Sequence, residues 1–121
     1  MFVTSQGGPL ARFQRALASR NATLAWAAAS ELRHIELADA LTLCLLVAND
    51  PARYAKAAAR WHARFVAEAR GVTLAEAQLV LGALEALRDP AAATSAAEAL
   101  AHVCERRGLT DVAEVLDGWG E

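Results

Sequence analysis

An all-α fold is expected from three features of the 121-residue sequence. Alanine, the best helix former, supplies 31 residues, and β-branched residues are sparse. The three prolines and most of the seven glycines fall between apolar stretches rather than inside them. Within those stretches the large apolar residues recur at intervals of three and four, the period of an amphipathic helix. The length suits one domain. Residues 1–8 are expected as an N-terminal tail and residues 9–121 as a single helical domain. Six or seven helices should stack as antiparallel hairpins, either as a short α-solenoid-like stack or as an irregular bundle.

A first helix is expected over 9–19, with Pro9 at its first turn and Leu10, Phe13 and Leu17 facing inward. Asn21 is suited to cap a second helix reaching about Arg33, with Leu24, Ala28 and Leu32 inward. The third, about 37–48, is apolar almost all round and therefore central. Asp50 and Pro51 open a fourth helix to about Arg70, whose stripe Tyr54, Ala58, Trp61, Phe65 and Ala69 steps by three and four. Thr73 and Glu76 have the spacing of a capping box for a fifth helix to about Arg88, with Leu74, Ala77, Leu81 and Leu84 inward. A second Asp-Pro pair, Asp89 and Pro90, is expected to start a sixth helix reaching Arg107. Thr110 is suited to cap a seventh, in which Val112, Val115, Leu116 and Trp119 share a face. Leu41, Leu45, Trp61, Phe65 and Leu81 are the expected centre of the core.

One short pattern recurs at a 37-residue interval: RHIELADA at 33–40, RGVTLAEA at 70–77 and RGLTDVAE at 107–114. Each places a basic residue where a helix dipole favours it, then His or Gly at the turn, then an aliphatic plug. Three equivalent helical corners would make a short repeat. The segments FQRAL, ELRHIELADAL, DPARYAKAAARWHARF and GVTLAEAQLVLGAL are similar to short Ala- and Arg-rich helical proteins of high-GC actinobacteria, over roughly residues 10–88. That resemblance implies an all-helical fold and carries no catalytic signature. The helix-pair period also resembles tetratricopeptide and HEAT repeats, although the tetratricopeptide pattern of Trp, Leu-Gly, Tyr, Ala and Pro is not met.

Several function classes lack their chemistry. No G-x-S-x-G elbow, H-E-x-x-H pair or Gly-rich phosphate loop is present. Cys44 lies in the most apolar stretch, where a thiolate is disfavoured. His102 and Cys104 are two apart on a helix and diverge. His34 and His62 are expected to serve the core or the surface. No enzyme activity, metal or cofactor is therefore expected. The start MFVTSQGGPL has no basic region or long apolar core of a signal peptide, and no run of 18 apolar residues occurs, so a membrane role is not expected. Two separated cysteines fit a reduced, cytoplasmic chain.

Charge is the one surface feature above background. The net charge is -2, but residues 1–70 hold nine Lys or Arg against five Asp or Glu, and residues 71–121 hold three against nine. On the fourth helix Arg53, Lys56, Arg60 and Arg64 fall within about 80° of a helical wheel, beside the aromatic stripe. A non-catalytic protein-interaction or regulatory module is expected, with these four residues as its candidate partner-binding set. The alternative is a nucleic-acid-backbone binder using the same stripe. A helix-turn-helix reader is disfavoured, because the helix after Gly71 offers only Gln78 and Arg88 for base edges. A homodimer is a further expectation, with the acidic last helix meeting the basic stripe of a second copy and Val112, Val115, Leu116 and Trp119 as the self-association face.

Overall fold

The computed structural model describes residues 8–119, so all but the last residue of the expected N-terminal tail lies outside the described residues. It contains seven helices and no strand among those residues: α1 Pro9–Ala18, α2 Ala22–Ala29, α3 Leu37–Leu46, α4 Pro51–Glu68, α5 Leu74–Ala86, α6 Ala93–Arg106 and α7 Thr110–Trp119. The helix starts with strong side-chain caps form as their sequences suggest. Asn21 Oδ1 accepts from the Leu24 amide at 3.0 Å, and Asp50 Oδ1 from the Arg53 amide at 3.2 Å. Thr73 and Glu76 close a full capping box, each side chain accepting from the other's amide.

Two boundaries differ from expectation. Helix α2 stops at Ala29, not near Arg33. The Ser30 hydroxyl donates to the Ala27 carbonyl at 2.6 Å, a local bond that competes with helix propagation, and residues 32–36 carry no helix. The second Asp-Pro pair does not start α6. Asp89 Oδ1 accepts from the Ala91 amide, two residues on, and closes a turn instead. After Pro51 the first helical turn is anchored by the buried Tyr54; the matching residue after Pro90 is only Ala93, partly exposed.

The buried side chains form two clusters divided by α3. Leu37, Leu41, Cys44 and Leu45 face a main cluster shared with α4, α5, α6 and α7. Leu43 and Val47 face a smaller one made by Phe13, Ala16 and Leu17 of α1 with Ala25 and Ala28 of α2. In the main cluster Trp61 stacks on Phe65 at 5.4 Å between centroids, and its Nε1–H donates to the Leu37 carbonyl at 2.9 Å. The Tyr54 hydroxyl donates to the Leu84 carbonyl. Consecutive helices pack in pairs, and α7 returns to pack on α3, so the chain closes as a bundle.

Four expected core positions are exposed: Leu10, Leu24, Leu74 and Leu81. On α5 the inward face is Glu76, Val80, Ala83 and Leu84. The inward Glu76 is what rotates this helix. Its carboxylate takes the Arg107 guanidinium at 2.8 Å, with Arg106 at 3.7 Å. The Arg107 hydrogen bond holds the Glu76 carboxyl below its ordinary range; burial opposes this, and the Thr73 amide and Arg106 add to it. The ion pair ties the start of α5 to the end of α6, so these helices run antiparallel.

The same pair relates two of the recurring corners. Gly71 and Gly108 both adopt left-handed backbone, with φ of +76° and +79°. Gly108 ends α6 directly, with the Leu109 amide donating back to the Cys104 carbonyl. Helix α4, by contrast, has already stopped at Glu68 with Ala69 extended, so Gly71 shapes the connection rather than capping the helix. The first corner, with His34 in that slot, has no positive φ. All three aliphatic plugs, Ile35, Val72 and Leu109, are partly buried against a core cluster. A Cβ at Gly71 would lie 2.8 Å from Arg107 Nη1, whereas one at Gly108 meets nothing within 4 Å. Gly108→Ala is therefore expected to cost about 1–2 kcal/mol of backbone strain alone. Gly71→Ala should cost measurably more, because Arg107 is held by Glu76 and cannot move aside freely. Denaturation midpoints of the two variants test this; equal losses would mean that Arg107 yields without consequence.

Candidate interaction groove

A groove of about 400 Å³ runs between α4 and the end of α2 with the connection that follows it. Its floor is aliphatic: Ala29, Leu32, Ile35, Leu43 and Ala57, with an edge of Trp61. Its rim is basic. Lys56, Arg60 and Arg64 come from α4 and Arg33 from the α2–α3 connection, and no carboxylate lines it. Lys56, Arg60 and Arg64 are successive i, i+4 positions, so they stand about 6 Å apart along the helix axis.

Three members of the four-residue basic stripe thus reach the groove. Arg53 does not line it. Its guanidinium lies 5.3 Å from the Trp26 ring centroid, and its Nε is 3.6 Å from Asp50 Oδ2. Arg64 is held by Glu68 at 2.8 Å, one turn on. Lys56, Arg60 and Arg33 form no ion pair with any described residue. Arg33 and the aliphatic floor escaped the sequence reading. A second helix continuing to Arg33 would have turned that residue into an ordinary helix end. The signal that could have found it is Ser30, a residue that favours helix termini over interiors.

The fold sets most of the expected self-association face in the chain's own core. Val112 and Leu116 are buried in the chain's own core, and Val115 and Trp119 pack against it. Trp119 is further covered by Arg20, whose guanidinium lies 4.3 Å from its ring centroid and whose Nη2 approaches its carbonyl at 3.5 Å. The apolar face of α7 thus closes the main cluster against α3 and α6, and only its Leu116 and Trp119 edge also lines a surface groove. Beside it lies a second groove of about 390 Å³ with Glu98 and Asp117 at its edge.

Reactive chemistry is muted elsewhere. Cys44 and Cys104 are buried free thiols, and burial pushes each up to about 12. His62 Nε2 sits 2.8 Å from the Ala77 carbonyl, bridging α4 to α5, and His34 is exposed near Glu36. Among the described residues no group of three His, Cys, Asp or Glu could hold a metal ion, and no helix is long and apolar enough to cross a membrane. Comparisons with protein families, with curated proteins and with solved structures found no match.

Proposed function

We propose that the chain is a non-catalytic interaction module that holds a protein partner in the groove between α2 and α4. One observation carries this: three cations without an ion-pair partner among the described residues, Arg33, Lys56 and Arg60, surround an aliphatic floor. Such a surface joins apolar area, which supplies affinity, to charges that steer and orient. A nucleic-acid backbone would engage the cations and leave the floor idle. Bases bind aromatic faces, and here the Trp61 ring is stacked on Phe65 while Arg53 lies over the Trp26 ring. Buried, unpaired cysteines favour a reducing compartment, so the cytoplasm is the setting we assign.

The test is capture of partners on tagged protein, with nuclease present and absent, for wild type and for a Lys56→Glu, Arg60→Glu double variant. Both side chains are exposed, so the variant should fold, with a stability change of at most about 1 kcal/mol per site. The expected result is a protein that survives nuclease on the wild type and is lost from the variant. A partner retained equally by both would remove the groove from the function. Capture abolished by nuclease would favour the nucleic-acid alternative.

A further inference from the structure

We infer that the occupant of the groove is an acidic amphipathic α-helix lying along α4, with two carboxylates one turn apart facing Lys56 and Arg60 and a third on its other flank facing Arg33. This presupposes the interaction role above and adds the class of partner.

The groove has the attributes of a helix-in-groove site. It is an open trough, with one wall formed by the 18-residue helix α4. Its floor is built from Ala, Leu and Ile side chains, which interdigitate with aliphatic residues at i, i+3, i+4 and i+7 of a partner. A second helix lying along α4 repeats the same 5.4 Å pitch. Its carboxylates at i and i+4 therefore meet Lys56 and Arg60 in step.

The charges also fix where that helix ends. Arg64 is neutralised by Glu68 at 2.8 Å. The free positive charge of the α4 wall is thus concentrated at Lys56 and Arg60 and fades toward the end of the helix. Arg33 supplies the other wall. A partner with glutamates on both flanks of an aliphatic stripe satisfies all three cations. A partner with its glutamates opposite that stripe satisfies none. Exposed ion pairs contribute little individually, so the cations select register and sign while the floor supplies affinity.

The probe is a fluorescein-labelled synthetic peptide about four helical turns long, with a leucine stripe and glutamates on both flanks one turn apart. Its control has the same composition with the glutamates moved opposite the leucines. Fluorescence anisotropy should show the flanking peptide binding wild-type protein about tenfold or more tighter than the control, with the difference shrinking as salt is raised. Lys56→Glu, Arg60→Glu should weaken the flanking peptide by a similar factor. A third peptide with lysines in place of the glutamates should prefer the double variant to wild type, and circular dichroism confirms that the variant is folded. Ile35→Asp, which places a charge on the floor, should weaken all three peptides.

Equal binding of flanking and control peptides would overturn the proposed register. No peptide binding, with nuclease-resistant capture still dependent on Lys56 and Arg60, would overturn the helical occupant and leave the interaction role standing. A single-stranded oligonucleotide that binds tighter than every peptide and is released by the double variant would overturn both.

Discussion

Trp61→Ala is expected to destabilise the protein by about 3–5 kcal/mol, the usual loss for deleting a buried aromatic side chain. Trp61 is 1% exposed. It is the largest fully buried side chain: it stacks on Phe65 of its own helix, donates to α3, and lends an edge to the groove. Its removal leaves a void that the close-packed surroundings fill only in part. It also removes the indole donor from the Leu37 carbonyl. Typical domains are stable by only about 5–15 kcal/mol, so the variant should show a much lower chemical-denaturation midpoint. Trp61→Phe separates the two terms. It keeps most of the volume and loses chiefly the hydrogen bond, at about 1 kcal/mol. A loss under about 1 kcal/mol for Trp61→Ala would mean that the ring is not part of the core.

Trp61 was legible because α4 alternates sharply. Arginines and alanines stand between its aromatic residues, so only one face is available for burial. The neighbouring α5 shows the opposite case. Its leucines are spread around the helix, so that Leu74, Leu79 and Leu81 are exposed while Leu84 is buried. Periodicity alone then allows two phases. The chosen phase buries Glu76, and a carboxylate in the inward row reads from sequence as a surface residue. Its main partner, Arg107, lies 31 positions away, and that pairing makes the burial tolerable. The corners divide on similar grounds. Gly108 announces a left-handed helix end by residue type and Gly71 a left-handed turn just past one, whereas the end of α2 is marked locally only by a serine hydroxyl turned back on the helix.

The groove was half legible. Lys56, Arg60 and Arg64 form a pattern within one helix, and local spacing suffices to see it. Arg33 joins them only because α2 ends early and its connection folds across α4. Arg53 leaves them because Trp26, 27 residues earlier, receives its guanidinium. The apolar face of α7 posed a different difficulty. A helix near a chain end with one apolar face is equally suited to its own core and to a neighbour's, and the pattern of residues is identical in the two cases. The return of α7 to α3 is a property of the whole bundle.

Phe13→Ala tests that bundle from its other side. Phe13 is fully buried, and the only large buried side chains that α1 and α2 give its cluster are itself and Leu17; the rest is alanine, with Trp26 packed half-buried against it. Truncation is expected to cost about 3–5 kcal/mol, but the loss should be local. The α1–α2 pair rests on Leu43 of α3 and Val47 at its C-terminal cap, while the main cluster lies across that helix. An element attached through one small cluster is a candidate for opening as a unit. The contact of Arg20 with Trp119 is worth about 0.5–1 kcal/mol if exposed, too little to hold the pair in place. Hydrogen exchange should therefore rise in α1 and α2 of the variant while α5 and α6 stay protected. Equal loss of protection in every helix would show that the two clusters form one cooperative core. The groove shares this dependence, since Trp26 and Ala29 of α2 line it. Opening of α1–α2 removes one wall, so the apparent affinity for the acidic peptide should fall by the fraction of closed molecules lost. By mass action the peptide at saturating concentration should restore protection to α1 and α2.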